Sequence, residues 1–560
     1  AYIREHFFGP DPRLRKLVEH LTDDDLAKLR RGGHDYRKVH AAYKAATEHT
    51  GAPTVILAHT VKGWTLGAGV EARNITHQAK KLNEAELRVF RDRLELPIPD
   101  STLKEAPYYH PGADSDEIRY LVERRRALGG PLPRRSVKSE PLPAPAAEVD
   151  AEFAAGSKTA VSTTMVFARI LRNLIRDPEL GPRIVPIIPD EARTFGMDPL
   201  FKEVGIYSAL GQRYEPVDSD LVLSYRESTD GQVLEEGITE AGSMASFQAA
   251  GTSYATHGLA TIPFYIFYSM FGFQRTGDQM WAFGDARGRG FLMGATAGRT
   301  TLAGEGLQHD DGHSQILAST VPNVRAYDPA FAYELSTVIR GGIERMYGAK
   351  PEDIFYYVTL YNENYAQPAR PDVTDEDILR GIYRFAAAPD LGSKAHAARL
   401  IGSGSILQQV LAARDLLAEK FGVAAEVYSA PSFPLLRRDA LETERWNRLH
   451  PDAKRPRVPE VSRILPHDGG PIVAATDWMK ALPDMVSRWL PPHYVALGTD
   501  GFGRSDTRED LRALFEIDPA HIATATLVSL ARCGALPAAK AARAIRDLGI
   551  DPDKTDPLAL

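Results

Sequence analysis

Cysteine is nearly absent: Cys533 is the only one in 560 residues. That excludes an intrachain disulfide framework and a four-cysteine zinc site, and it suits a reducing, cytoplasmic location. There is no excess of positive charge. A net charge of −7 argues against a nucleic-acid partner held by bulk phosphate neutralisation. Long apolar runs are missing too. The nearest, Leu259 to Phe273, is 15 residues long and is interrupted by Pro263, so no membrane partner is expected. Ala1 to Gly9 has neither a basic region nor an apolar core of the kind a secretory leader needs, and no internal repeat is visible. What remains is ordinary globular composition, 43% hydrophobic and 25% charged. The length suggests two to four domains.

Apolar periodicity divides the chain into α/β blocks. Asp35 to Thr50 reads as a helix with Asp35 as its cap, and Thr54 to Ala58 as a buried strand leading into the glycine-rich loop Gly63 to Gly69. Residues 1–130 form the first block. Pro131 to Asp150, rich in proline and basic at its start, reads as a solvated linker. The second block, 151–390, begins with a helix over Lys158 to Asp177, with Val161, Met165, Ala168, Leu171 and Ile175 on one face. Strands are expected at Ile184 to Ile188, Leu221 to Ser224, Thr261 to Phe267, Phe291 to Gly294 and Ile354 to Leu360, with a helix of small residues over Ala241 to His257. The third block, 391–560, has strands at Arg399 to Gly402, Ala425 to Tyr428, Pro471 to Ala474 and Tyr494 to Leu497. In parallel α/β sheets ligands collect at the carboxyl ends of strands, so segments following predicted strands are the candidates for chemistry.

Four such segments stand out. Lys62 and His77 suit anion binding and proton transfer, or belong to an ordinary surface loop. Asp190 and Glu191 follow the strand Ile184 to Ile188 as site carboxylates, or as a helix cap with an ion pair. Glu240 opens the helix of small residues, where the macrodipole favours a carboxylate; packed among Ala and Gly it is alternatively a proton donor. His309, Asp310, Asp311 and His313 have the donor types of a zinc, manganese or iron site, yet glycines at 304, 306 and 312 argue for a loop that delivers one histidine.

Taken together, these segments resemble the homodimeric type of pyruvate dehydrogenase decarboxylating component, a thiamine diphosphate enzyme family of the transketolase-like superfamily. The resemblance rests on Arg31-Gly-Gly-His-Asp35, Thr54 to Gly63, Asn74-Ile-Thr-His-Gln78, Pro189 to Met197 and Glu236-Gly-Ile-Thr-Glu240. It continues through Pro263 to Arg275, Gly304 to His309, Leu360 to Tyr365 and Leu497 to Asp506. It implies a three-domain α/β fold and oxidative decarboxylation of pyruvate with reductive acetylation of a lipoyl group, feeding acetyl-CoA synthesis. It also implies thiamine diphosphate with Mg2+, a homodimer, and a dihydrolipoyl acetyltransferase partner whose lipoyl domain and core are engaged.

The resemblance also implies roles. Glu240 is expected to hydrogen-bond the aminopyrimidine ring, Ile238 to wedge the cofactor into a bent shape, and Tyr268 and Phe271 to surround the ring. Asp190, Glu191 and His309 are expected to line the reaction centre. Lys62 and His77 are expected on a loop over it, with His77 aiding acetyl transfer.

One departure is plain. The superfamily anchors diphosphate and magnesium through a Gly-Asp-Gly segment followed by asparagines, and no Gly-Asp-Gly occurs here. The magnesium ligands are therefore expected upstream of Ala1, so the first domain is incomplete in this sequence. Two other readings stay open: a transketolase-like enzyme for another 2-oxo acid or a ketose, and a metallohydrolase centred on His309, Asp311 and His313.

Overall fold

The computed structural model describes residues 1–29, 31–131, 139–146, 148–217, 219 and 225–560. The chain divides into two compact units, Ala1–Arg134 and Arg135–Leu560.

The first unit is built of helices and loops. Tyr36–Glu48 (α1), Glu84–Arg93 (α2) and Asp116–Ala127 (α3) are each started by a side-chain cap, from Asp35, Asn83 and Ser115 respectively. The expected strand at Thr54 to Ala58 is not formed. The segment pairs with nothing in a sheet, and Val55 and Leu57 are 80% and 92% exposed. A strand requires a partner for its backbone groups, and no other strand occurs among the described residues of this unit.

In the second unit, apolar segments run in parallel through the centre of a six-stranded sheet. Its strands are Ile184–Ile188 (β2), Leu234–Glu235 (β3), Ile262–Tyr268 (β4), Phe291–Ala295 (β5), Val324–Tyr327 (β6) and Phe355–Thr359 (β7). Their order is β3-β2-β4-β5-β7-β6, with every neighbouring pair parallel. Period-two alternation sends Phe264 and Ile266 into one core and Tyr265 and Phe267 into the core on the opposite face. Both faces are covered, which is why these strands read as continuous apolar runs. The expected strand at Leu221 to Ser224 lies outside the described residues.

The helix expected from Lys158 starts later. Ser162 caps Thr163–Arg176 (α4), and Ser157–Val161 (β1) is a strand pairing antiparallel with Tyr365–Gln367 (β8). The buried face of α4 is Val166, Phe167, Ile170, Leu171 and Leu174, while Met165 is exposed. Residues 148–154, across the expected end of the linker, form a helix. The expected helix Ala241 to His257 is Glu240–Gly251 (α5) plus a separate turn at Ser253–Thr256.

A second sheet contains Tyr383–Ala386 (β9), His396–Gly402 (β10), Val423–Ser429 (β11), Ile472–Ala475 (β12) and Val495–Leu497 (β13), in the order β9-β11-β10-β12-β13. Only the edge strand β9 is antiparallel. Thus residues 383–386 already belong to this sheet.

Three fully buried carboxylates join the two sheets. Asp328 accepts from Thr359 Oγ1 and Ser403 Oγ, both at 2.6 Å, and from Trp478 Nε1 at 2.9 Å. Asp477 accepts from the backbone nitrogens of Thr300 and Thr301, each at 2.9 Å. Glu334 accepts from Ser429 Oγ at 2.6 Å. Burial raises the pKa of all three, and their donors oppose the rise.

Candidate active site

Because β3, β2, β4 and β5 are adjacent and parallel, their carboxyl ends share one edge of the sheet. The segments leaving those ends carry Glu236 to Glu240, Asp190 and Glu191, Tyr268 and Phe271, and the long connection that reaches His309. Parallel topology thus gathers four segments that lie far apart in sequence.

Their side chains touch in a continuous series. Tyr268 and Phe271 stand edge to face with ring centres 5.9 Å apart, and His309 lies 4.9 Å from Tyr268 and 5.1 Å from Phe271. The Arg275 guanidinium sits 3.8 Å from the Phe271 ring centre and donates from Nη1 to Glu240 Oε1 at 2.9 Å. Glu240 therefore has a charged partner, which replaces the expectation of a carboxylate isolated among Ala and Gly. Helix α5 behind it is capped by Thr239 Oγ1, which accepts from the Gly242 nitrogen at 3.2 Å. Ile238, between Gly237 at φ +79° and that cap, is 77% exposed, an apolar side chain presented to solvent.

The carboxylates divide by environment. Glu191 Oε2 accepts from Thr194 Oγ1 at 3.0 Å. Burial, with a contribution from Glu191, raises the Tyr268 pKa. Glu235 is pushed up to about 7, by burial first and by the Asp190 charge second. Asp310 is also pushed up to about 7, by burial, against the opposing pull of Arg299. Among the described residues neither carboxylate oxygen of Asp310 has a hydrogen-bond partner, nor does the buried Nδ1 of His309 next to it. That His309 nitrogen lies 3.8 Å from Glu305 Oε2.

The His309, Asp311 and His313 group does not converge. Asp311 accepts from the backbone nitrogens of His313 and Ser314, both at 3.0 Å, and so starts the following helix. His313 Nε2 meets Gln274 Oε1 at 2.9 Å. No group of three or more metal-ligating side chains occurs among the described residues, so the metallohydrolase reading gains no support from geometry.

In the first unit, Lys62 Nζ and His77 Nδ1 meet at 2.9 Å, both on an exposed surface. Sequence reasoning gave no role to Arg275, Glu235 or Glu305. Arg275 and Glu305 lie inside matched segments, and Glu235 directly precedes one, but only the folded sheet shows what each one faces.

The fold and this edge-of-sheet site define the chain as transketolase-like. It is similar to the transketolase of Campylobacter jejuni, with a TM-score of 0.57 and 17% identity, covering 88% of this chain and 65% of that one. The transketolase of Leishmania mexicana gives the same TM-score at 15% identity, covering 90% and 66%. Residues 381–518 match the transketolase-like C-terminal domain family, and residues 145–368 match the pyruvate dehydrogenase E1 component middle domain family. Full-length comparison is narrower still. The chain is 53% identical to the pyruvate dehydrogenase E1 component of Pseudomonas aeruginosa over 560 residues, 100% of this chain and 63% of that protein. It is 47% identical to the one from Escherichia coli K12 over 559 residues, 100% of this chain and 62% of that protein. Along its whole length the chain is about half identical to pyruvate dehydrogenase E1 components, and it spans about 60% of the length of the curated relatives it matches.

Proposed function

We propose that the protein catalyses thiamine diphosphate-dependent oxidative decarboxylation of pyruvate and passes the acetyl group to a lipoyl group of a dihydrolipoyl acetyltransferase. One observation carries this reading. Glu240, Tyr268, Phe271 and His309 converge at the carboxyl ends of adjacent parallel strands, in a chain about half identical to pyruvate dehydrogenase E1 components.

The residues present fit the aminopyrimidine half of the cofactor. Exposed Ile238 offers an apolar wedge, Tyr268 and Phe271 offer ring faces, and Glu240 offers a carboxylate held by the arginine that lies over Phe271. They do not supply the Gly-Asp-Gly segment for Mg2+ and diphosphate, and no step is assigned to those groups. When bound, the cofactor serves as the electron sink that direct decarboxylation of a 2-oxo acid lacks.

The chain's own residues bind, orient and move protons. Glu240, itself held by Arg275, would hydrogen-bond the aminopyrimidine ring through its carboxylate. His309, braced between two aromatic rings, presents an imidazole to the reacting region. Asp190 and Glu191 line the same edge and set its negative charge, and the packed rings narrow the access of water. His77, paired with Lys62, serves the transfer to lipoamide. The exposed faces of Ala241, Ala245 and Ala249 on α5 support close approach of a second copy in a homodimer.

The transfer role separates from decarboxylation in one pair of assays. His77→Ala is expected to keep most of its pyruvate decarboxylation with an artificial electron acceptor while losing acetylation of a lipoyl domain. Equal loss in both assays would reject it.

A further inference from the structure

The edge strand β6 lies at the side of its sheet opposite β3, and helix Phe433–Leu449 packs beside it. Three guanidiniums gather there: Arg325 on β6, Arg345 and Arg438. Among the described residues only Arg345 has a carboxylate in direct contact, forking onto Glu352 with both bonds at 2.7 Å. Arg325 donates only to a backbone oxygen, that of Val324 at 3.3 Å, and Arg438 only to that of Pro322 at 2.6 Å. Burial holds both below the usual arginine range, Arg325 at about 10 with the like charges of Arg438 and Arg345 adding to it, and Arg438 against the opposing pull of Glu442. Beneath them Tyr356 is fully buried and lies within the field of Arg345 and Arg325.

A pocket of about 200 Å³ opens beside this cluster, lined by Ser319, Val324, Leu435, Arg437, Arg438 and Glu442 among others. Half-buried guanidiniums that face one another without a carboxylate in contact are unfavourable. That cost is relieved by one anion with several acceptor oxygens, and planar guanidiniums match phosphate oxygens in pairs. We infer that this pocket binds a phosphate group, gripped by Arg438, with Arg437 at its rim and Arg325 supplying positive potential from behind. Glu442, the pocket's own carboxylate, competes with the ligand for Arg438.

Calorimetric titration of the whole protein with inorganic phosphate, at ionic strength held constant with sodium chloride, tests this. Saturable binding is expected. Arg438→Ala should weaken it about tenfold or more, the effect of losing a charge-assisted hydrogen bond. Glu442→Gln, a change at an exposed position, should tighten it. ADP titrated in parallel separates the sources. Arg438-dependent ADP binding assigns the phosphate to a nucleotide, whereas binding of phosphate alone assigns it to the free ion. No saturable binding, or affinity unchanged in both variants, overturns the inference. Glu442→Gln keeps the test decisive if Arg438→Ala fails to fold.

Discussion

Asp310 shows what a single residue contributes. Its carboxylate is 2% exposed and unpartnered, with its pKa pushed up to about 7. The folded protein therefore holds a proton there that the unfolded chain releases near its ordinary value of 3.8. Stability from this group is complete at low pH, falls as pH rises from about 4 to about 7, and is gone above that. Asp310→Asn removes the titration. Relative to the parent its stability should climb by up to about 1.4 kcal/mol per pH unit across that window, seen in melting temperatures at pH 4 to 8. Parallel melting curves would show that Asp310 keeps an ordinary pKa. Glu235, also pushed up to about 7, leaves part of the fall in place. Candidate site residues that the fold brings together were legible in the sequence where they sit in matched segments after strands. Partners were not: Arg275 is 35 positions from Glu240, a pairing that only the fold creates.

At the scale of elements, legibility followed the completeness of the local signal. Ile184 to Ile188 is a strand at the predicted bounds because both its faces are buried and a turn limits each end. Thr54 to Ala58 carries the same apolar signature, but a strand is a property of a pair, and the described residues of its unit offer no partner. The start of α4 was set early because Ser162, whose Oγ accepts from the Met165 nitrogen at 3.3 Å, is a cap hidden inside a plausible helical stripe. The segment Leu497 to Asp506, which matched as a motif without a role, packs against the His309 loop. A methyl group at Gly503 would overlap Asp310, with its Cγ at 2.8 Å. Gly503→Ala is expected to cost about 1–3 kcal/mol from overpacking and to lower activity by displacing His309. Combining it with Asp310→Gly, which makes room, should recover part of that loss in a double-mutant cycle of melting free energies. Simple additivity would show that the two loops do not press on one another.

On the scale of the second unit as a whole, two parallel sheets are joined through buried carboxylates as well as apolar contact. Asp328 alone gathers donors from Thr359, Tyr361, Ser403 and Trp478. Asp328→Ala strands them all and should cost on the order of 3 kcal/mol or more, with calorimetric unfolding splitting into two transitions. A single transition at an unchanged temperature would assign the joint to apolar packing. The sheets themselves were legible as runs of apolar residues, but this seam was not, since its acids sit singly among apolar neighbours. The central claim is that Glu240 and the rings beside it act on pyruvate. Carbon dioxide release from pyruvate and from 2-oxoglutarate, with thiamine diphosphate and Mg2+ present, tests that claim in the parent protein and in Glu240→Gln. The account predicts a clear preference for pyruvate and a loss of about 10²–10⁴-fold in the variant; a preference for 2-oxoglutarate, or a variant as fast as the parent, would contradict it.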